Sequence, residues 1–130
     1  MEVAMASLNR VQLIGRLGKD PETRTVSKGK VIATFSLAVD RRWRGEDGVV
    51  QHETDWFQVE SWGAKADFCQ KYAHKGQLIF VEGRLRTDRY ESQGETKYFT
   101  KVVARDIQLL EFRSEDHETE EVEEIQDSEN

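Results

Sequence analysis

The sequence predicts an all-β fold with one inserted helix, closed into a small barrel. Three observations lead there. Five segments place apolar and polar residues in alternation, the mark of strands with one buried face. One segment alone, residues 63–75, has helical spacing of its apolar residues. The resulting order, β-β-β-α-β-β, fits about 105 residues, enough for one domain with one core.

Taken in order, residues 8–17 form the first strand. Val11, Leu13 and Leu17 share a face with Asn9 and Gly15, while Arg10, Gln12 and Arg16 share the other. Residues 18–30 are turn-rich, with Gly18, Asp20-Pro21 and Ser27-Lys28-Gly29-Lys30. Residues 31–40 alternate cleanly, with Val31, Ala33, Phe35, Leu37 and Val39 on the core side. Arg41-Arg42-Trp43-Arg44 continues outward, and Gly45-Glu46-Asp47-Gly48 turns the chain. A strand follows at 50–62. The helix, 63–75, offers Ala66, Phe68, Cys69, Tyr72 and Ala73 to the core and stops at Gly76. Strands at 77–90 and 96–110 complete the set.

Five strands with a helix between the third and fourth long ones suit a five-stranded Greek-key barrel of the oligonucleotide-binding (OB) type. A plain β-sandwich is the alternative; the inserted helix suits it less well. The last strand alternates poorly. Tyr98, Thr100, Val102 and Ala104 fall on one face, and Phe99, Val103, Ile107 and Leu109 on the other. Apolar groups on both faces predict a strand covered on both sides, by another subunit.

The net charge of −6 conceals a segregation. Residues 114–130 hold nine acids and no Lys or Arg; the remaining 16 acids against 19 Lys and Arg leave residues 1–113 at +3. A mildly basic domain, residues 7–113, thus carries an acidic tail. That tail has too few apolar residues to pack, so residues 114–130 are expected to be disordered, as is a leader over residues 1–6. Either the tail serves solubility or it competes with an anionic ligand for a basic groove. No run of about 18 apolar residues is present for a membrane-spanning helix. A single cysteine, Cys69, excludes an intramolecular disulfide and a thiolate zinc cluster. The expectation is a cytosolic-type protein, with Met5 as a second candidate start.

The informative faces are those that should be wet. In Thr54-Asp55-Trp56-Phe57-Gln58-Val59-Glu60-Ser61-Trp62, the odd face of Phe57, Val59 and Ser61 reads as core. The even face carries Trp56, Gln58, Glu60 and Trp62, two large rings among polar neighbours. The strand ending at Tyr90 places Arg84, Arg86 and Tyr90 on one face. Rings interleaved with cations on an exposed sheet suit unstacked bases and their phosphates. The competing reading is core packing, with Trp62 folded over the helix start and Tyr90 capping a hairpin. Trp43 has the parity of core residue Val39, so it binds only if its strand has left the barrel. Phe35, Phe57, Phe68, Tyr72, Phe80 and Phe99 read as core or subunit contact.

Catalytic signals are weak. Gly15-Arg16-Leu17-Gly18-Lys19-Asp20 is too short for a P-loop and leads to no helix. His52, His74 and His117 fall in separate segments. Asp55 and Glu60 face opposite ways, a poor start for a two-metal site. Cys69 reads as a buried thiol. No enzymatic activity, metal or other cofactor is expected. A nuclease on an OB barrel remains only as a foil.

Several stretches together resemble the bacterial and organellar single-stranded DNA-binding protein family. They are Leu8-Asn9-Arg10-Val11-Gln12-Leu13-Ile14-Gly15-Arg16-Leu17-Gly18-Lys19-Asp20-Pro21-Glu22, Phe35-Ser36-Leu37-Ala38, Thr54-Asp55-Trp56-Phe57-Gln58-Val59, Lys75-Gly76-Gln77, and Val81-Glu82-Gly83-Arg84-Leu85-Arg86-Thr87. The resemblance covers residues 7–112. It implies an OB fold assembled as a homotetramer, with single-stranded DNA stacked on Trp43, Trp56, Trp62 and Tyr90. It also implies sequence-independent protection of single strands in replication, recombination and repair, at the nucleoid if the source is bacterial. Candidate phosphate partners are Arg10, Arg16, Arg24, Lys28, Arg41, Arg42, Arg44, Lys75, Arg84, Arg86 and Arg89; the bland reading makes each a solvated charge. An OB accessory subunit acting mainly through protein contacts is the alternative. The tail departs from the family pattern. It ends Ile125-Gln126-Asp127-Ser128-Glu129-Asn130, without the Pro-Phe anchor through which such tails engage replication and repair proteins.

Overall fold

In the computed structural model, residues 6–111 are described. Six strands and one α-helix follow in order: β1 (Val11–Leu17), β2 (Glu22–Thr25), β3 (Val31–Arg44), β4 (Val50–Trp62), α1 (Ala64–Tyr72), β5 (Leu78–Ser92) and β6 (Glu95–Leu109). A single turn of 3-10 helix, Ser27–Gly29, precedes β3. The sheet order is β1-β5-β6-β4-β3-β2, and β1 also pairs with β3. That last pairing, Arg16 opposite Ala38 and Leu17 opposite Leu37, closes a five-stranded barrel and rules out the open sandwich. No helix among the described residues is long and apolar enough to cross a membrane.

Period-two patterning fills the barrel as expected. Leu17, Ala33, Phe35, Leu37, Val59, Ile79, Val81, Val102 and Ile107 form its core, with Ala66, Cys69 and Ala73 of α1 packed against them. Closure needs a strand pair closer than side chains allow. A Cβ on Gly15 would come within 2.3 Å of the Ala38 carbonyl oxygen, so only glycine fits at the β1–β3 seam. Gly83 is confined likewise: a Cβ there would stand 2.1 Å from the Val103 carbonyl oxygen.

Gly83 marks a β-bulge. Glu82 pairs with Asp106 and Gly83 with Ala104, so Arg105 is skipped in the register and the parity of β6 flips there. The flip explains the poor alternation of the last strand. Val102 and Ala104 before it, and Ile107 and Leu109 after it, all meet the same core. The bulge by itself accounts for core residues of both parities in β6. Phe99 and Tyr98 remain exposed.

Three other expectations are corrected. The turn-rich stretch contains a strand: β2 pairs with β3 from Glu22–Thr34 to Thr25–Val31. Its four residues, Glu-Thr-Arg-Thr, have no apolar member, because an added edge strand buries little and periodicity cannot reveal it. The helix is shorter than 63–75. It ends at Tyr72, where the Ala73 N–H still reaches the Cys69 carbonyl. Gly76 instead makes a later turn, its N–H bonded to the Leu17 carbonyl. Tyr72 is exposed rather than core, leaning on Phe68 with ring centroids 5.3 Å apart. Cys69 is buried as expected, and burial pushes its thiol pKa up. The leader and the tail lie outside the described residues, apart from Ala6.

Two hairpins extend beyond the packed barrel. Residues 40–44 of β3 pair with 50–54 of β4 as far as Arg44–Val50. Residues 87–92 of β5 pair with 95–100 of β6. Most side chains on both faces of these arms are exposed, since neither covers the core.

A candidate nucleic-acid interface

The outer sheet face is continuous across β2, β3, β4, β6 and β5. Register carries the even residues of β4 onto it together with their partners: Trp56 beside Ala38, Gln58 beside Ser36, Glu60 beside Thr34, Trp62 beside Ile32. Across β6 the same face holds Lys97, Phe99, Lys101 and Val103, opposite Tyr90, Asp88, Arg86 and Arg84 of β5. Trp56, Trp62 and Tyr90 are thus gathered on one face, 61%, 38% and 47% exposed. Trp43 is exposed too, but on the opposite side of the β3–β4 arm. Its parity is that of Val39, and it is free of the core only because the arm has left the barrel.

Each ring is held differently. Trp56 lies over Gly18: a Cβ there would stand 2.6 Å from its Cζ3 and 3.0 Å from its Cη2. The Gly18 N–H is in turn fixed to the Ser36 carbonyl at 2.9 Å. Trp62 donates its indole N–H to Glu60 Oε2 at 2.9 Å. Trp43 has the Arg41 guanidinium 5.3 Å from its ring centroid, a cation–π contact. No ring or hydrogen-bond partner holds the Tyr90 side chain among the described residues.

Glu60 departs from expectation. Parity put it on the wet face, yet it is 4% exposed. Three neighbours cover it: Trp62 above, Lys101 from β6, whose Nζ donates to Oε1 at 3.0 Å, and Arg86 from β5 at 3.3 Å. Burial raises its pKa, but the hydrogen bonds from Trp62 and Lys101 and the nearby cations outweigh that and hold the carboxyl below its ordinary value. Hydrogen bonds from Lys101 and Arg86 likewise depress Asp88. A groove of about 250 Å³ opens beside Glu60, lined by Arg24, Thr34, Gln58, Phe99 and Lys101.

The candidate cations fall into two sets. Arg24, Lys28, Arg42, Arg44, Lys75, Arg84 and Arg89 make no side-chain ion pair among the described residues. Arg24 extends the outer face onto β2, opposite Ile32. Lys28 sits in the turn beyond it, and Arg42 and Arg44 share the Trp56 side of the β3–β4 arm. Lys75 lies in the loop after α1, its backbone N–H donated to the Asp20 carboxylate at 2.7 Å.

The second set is engaged. Arg10 binds Glu82 at 3.0 Å, and Gln12 and Arg10 together lower the Glu82 pKa. Arg16 grips both Glu111 oxygens, at 2.7 and 2.9 Å, and ties the end of β6 to β1. Arg41 bridges Asp55 and Glu53. Arg86 pairs with Glu60 and Asp88.

Sequence reasoning missed Lys101, Phe99 and Gly18. Phe99, 45% exposed, stands on the outer face between the tryptophans and Tyr90. The bulge hid this by confusing the two faces of β6. Among the described residues no group of His, Cys, Asp and Glu side chains could hold a metal ion.

A five-stranded barrel with a helix after its third barrel strand, and rings and cations on its outer sheet, defines an OB-fold protein of the nucleic-acid-binding kind. The Single-strand binding protein family model matches residues 8–110, and the chain belongs to that family. It is 39% identical to single-stranded DNA-binding protein 1 of Chlorobaculum tepidum over 79% of this chain and 65% of that protein. It is 42% identical to single-stranded DNA-binding protein 2 of Streptococcus agalactiae serotype III, over 82% and 80%. A solved Plasmodium falciparum SSB in complex with ssDNA superposes with TM-score 0.77 at 30% identity, over 84% of this chain and all of that one. A Thermus aquaticus single-stranded DNA-binding protein superposes with TM-score 0.73 at 37% identity, over 82% of this chain and 52% of that one. The chain therefore spans from about half to about four-fifths of the length of these bacterial relatives. The family is one of DNA-binding proteins, not enzymes.

Proposed function

We propose that this chain binds single-stranded DNA without sequence preference and protects it during replication, recombination and repair, as a homotetramer. The observation that carries the reading is the outer face itself. Trp56, Trp62 and Tyr90 are exposed together on one sheet, beside cations with no carboxylate partner among the described residues. Stacking suits any base because every base has a π-face; truncating one ring costs about 1–3 kcal/mol, a range set by proteins of this class rather than derived from this chain. Arg84 and Arg24 on the face, Arg42 and Arg44 on the arm, and Lys28 and Arg89 beyond are the phosphate partners. Trp43 stacks a base on the reverse of its arm. Arg10, Arg16 and Arg41 serve the fold first, since carboxylates already hold them. If the source is bacterial, the site of action is the nucleoid; any replication or repair protein engaged through residues 114–130 is held by their acids, since the Pro-Phe anchor is absent.

The test is a titration of tryptophan fluorescence with long oligo-dT, beside a matched duplex, at two salt concentrations. Quenching by the single strand alone, weakened by salt, is expected. No quenching of the folded protein would favour an accessory subunit that works through protein contacts. Sedimentation at micromolar concentration checks the tetramer. Deleting residues 114–130 should tighten binding most at low salt; unchanged affinity there removes the competitor role of the tail.

A further inference from the structure

The centre of the outer face is electrically closed. Glu60 and Asp88 supply two negative charges, and Arg86 and Lys101 two positive ones. Lys101 Nζ lies 3.0 Å from each carboxylate. Arg86 lies 3.3 Å from Glu60 and 3.2 Å from Asp88. Three strands contribute: β4, β5 and β6. Among the four groups Glu60 is the most deeply buried, and it alone also holds a ring, through the Trp62 indole N–H. Burying Glu60 in such a cluster is a costly way to stabilise a sheet, because desolvation offsets much of the attraction. What it does supply is fixed geometry and cancelled charge. Outside it, Arg24 and Arg84 lie toward opposite sides of the face with no carboxylate partner among the described residues.

Resting on the single-strand reading above, we propose that Glu60 is a positioning residue of the binding face. It fixes the plane of the Trp62 ring and neutralises Arg86 and Lys101. The centre of the face then takes bases, while phosphates pass along the flanks marked by Arg24 and Arg84. Arg86, a phosphate candidate by position, becomes part of a neutral support.

Two variants and one spectrum test this on the full chain. Glu60→Gln keeps an oxygen to accept from Trp62 but frees a cation for phosphate. Each newly engaged phosphate steepens the slope of log affinity against log salt by about 0.7 for a single strand. The ratio of variant to wild-type affinity should then rise about eightfold between 1 M and 50 mM salt. Asp88→Asn, at a half-exposed position that tolerates the change, should steepen the slope in the same direction if Glu60→Gln fails to fold. In an amide and indole NMR spectrum, the Trp62 N–H should be protected from solvent exchange in the wild type and in Glu60→Gln, and lose protection in Glu60→Ala. Unchanged salt slopes in the folded variants, or an unprotected Trp62 N–H in the wild type, overturn the proposal. Failure of the wild type to bind oligo-dT would instead overturn the single-strand reading, while the indole spectrum would still judge the Glu60–Trp62 contact.

Discussion

The barrel face and the hairpin arms carry the same residue types and hold them in different ways. On the face, Trp56 rests on the backbone at Gly18, and Trp62 is tied to a carboxylate that two cations fix. Their surroundings are pinned by β3, β4, β5 and β6 over a close-packed core. On the arms, Trp43 is held by one exposed guanidinium, and Tyr90 projects from a hairpin with both faces wet. Ordering a loose ring at the moment of binding costs side-chain entropy; a ring already placed does not incur it. The face should therefore supply most of the affinity per ring, and the arms should adapt to the path of the strand.

The largest expected effect removes the platform. Gly15→Val places a branched side chain against the Ala38 carbonyl at the barrel seam. Overpacking of this kind costs about 3 kcal/mol or more where the neighbour is backbone and cannot yield. Urea denaturation should show the loss, and single-strand binding should fall with it. A stable Gly15→Val would mean the seam is open.

Next comes the contrast between rings. Trp56→Ala should weaken oligo-dT binding by about 2–3 kcal/mol and Trp43→Ala by about 1 kcal/mol, with little change in stability for either. Equal losses, read by competition with a labelled oligonucleotide, would erase the distinction between face and arm. A subtler form of the same test leaves every ring in place. Gly18→Ala should displace the Trp56 ring and cost up to about 1 kcal/mol of affinity, less than losing the ring itself. Affinity unchanged by Gly18→Ala would show that Trp56 needs no fixed support.

The smallest effect concerns protons. The Glu60 and Asp88 carboxyls both titrate lower in the fold than in the unfolded chain. Their stabilisation is present above the unfolded values and is lost as the pH falls through the folded ones, below about pH 4. Thermal denaturation between pH 7 and pH 3 should show a shallower acid limb in Glu60→Gln than in the wild type. Identical limbs would remove Glu60 from the account.

How much of this was legible can be argued residue by residue. Trp56, Trp62 and Tyr90 were found because period two is a local property: a strand turns alternate side chains to opposite faces whatever it pairs with. The core of β3, with Ala33, Phe35 and Leu37, was found the same way. β2 was not, because four polar residues added to a sheet edge leave no trace in hydropathy. Nor was the two-sided look of β6 readable as a bulge, since skipping Arg105 is decided by what lies across from Glu82 and Gly83.

Sequence alone thus determined the five barrel strands, the inserted helix, the barrel class and the outward parity of Trp56, Trp62 and Tyr90, because these follow from spacing along the chain. Tertiary structure alone decided what each exposed group meets. Glu60 is buried because the parallel β4–β6 pairing and the antiparallel β5–β6 pairing carry Lys101 and Arg86 over it. Gly18 meets Trp56 because the β1–β3 seam folds a turn beneath a strand that begins some thirty residues later. Charge cancellation and ring support are pairwise, fall with distance in space, and join residues that spacing along the chain does not relate.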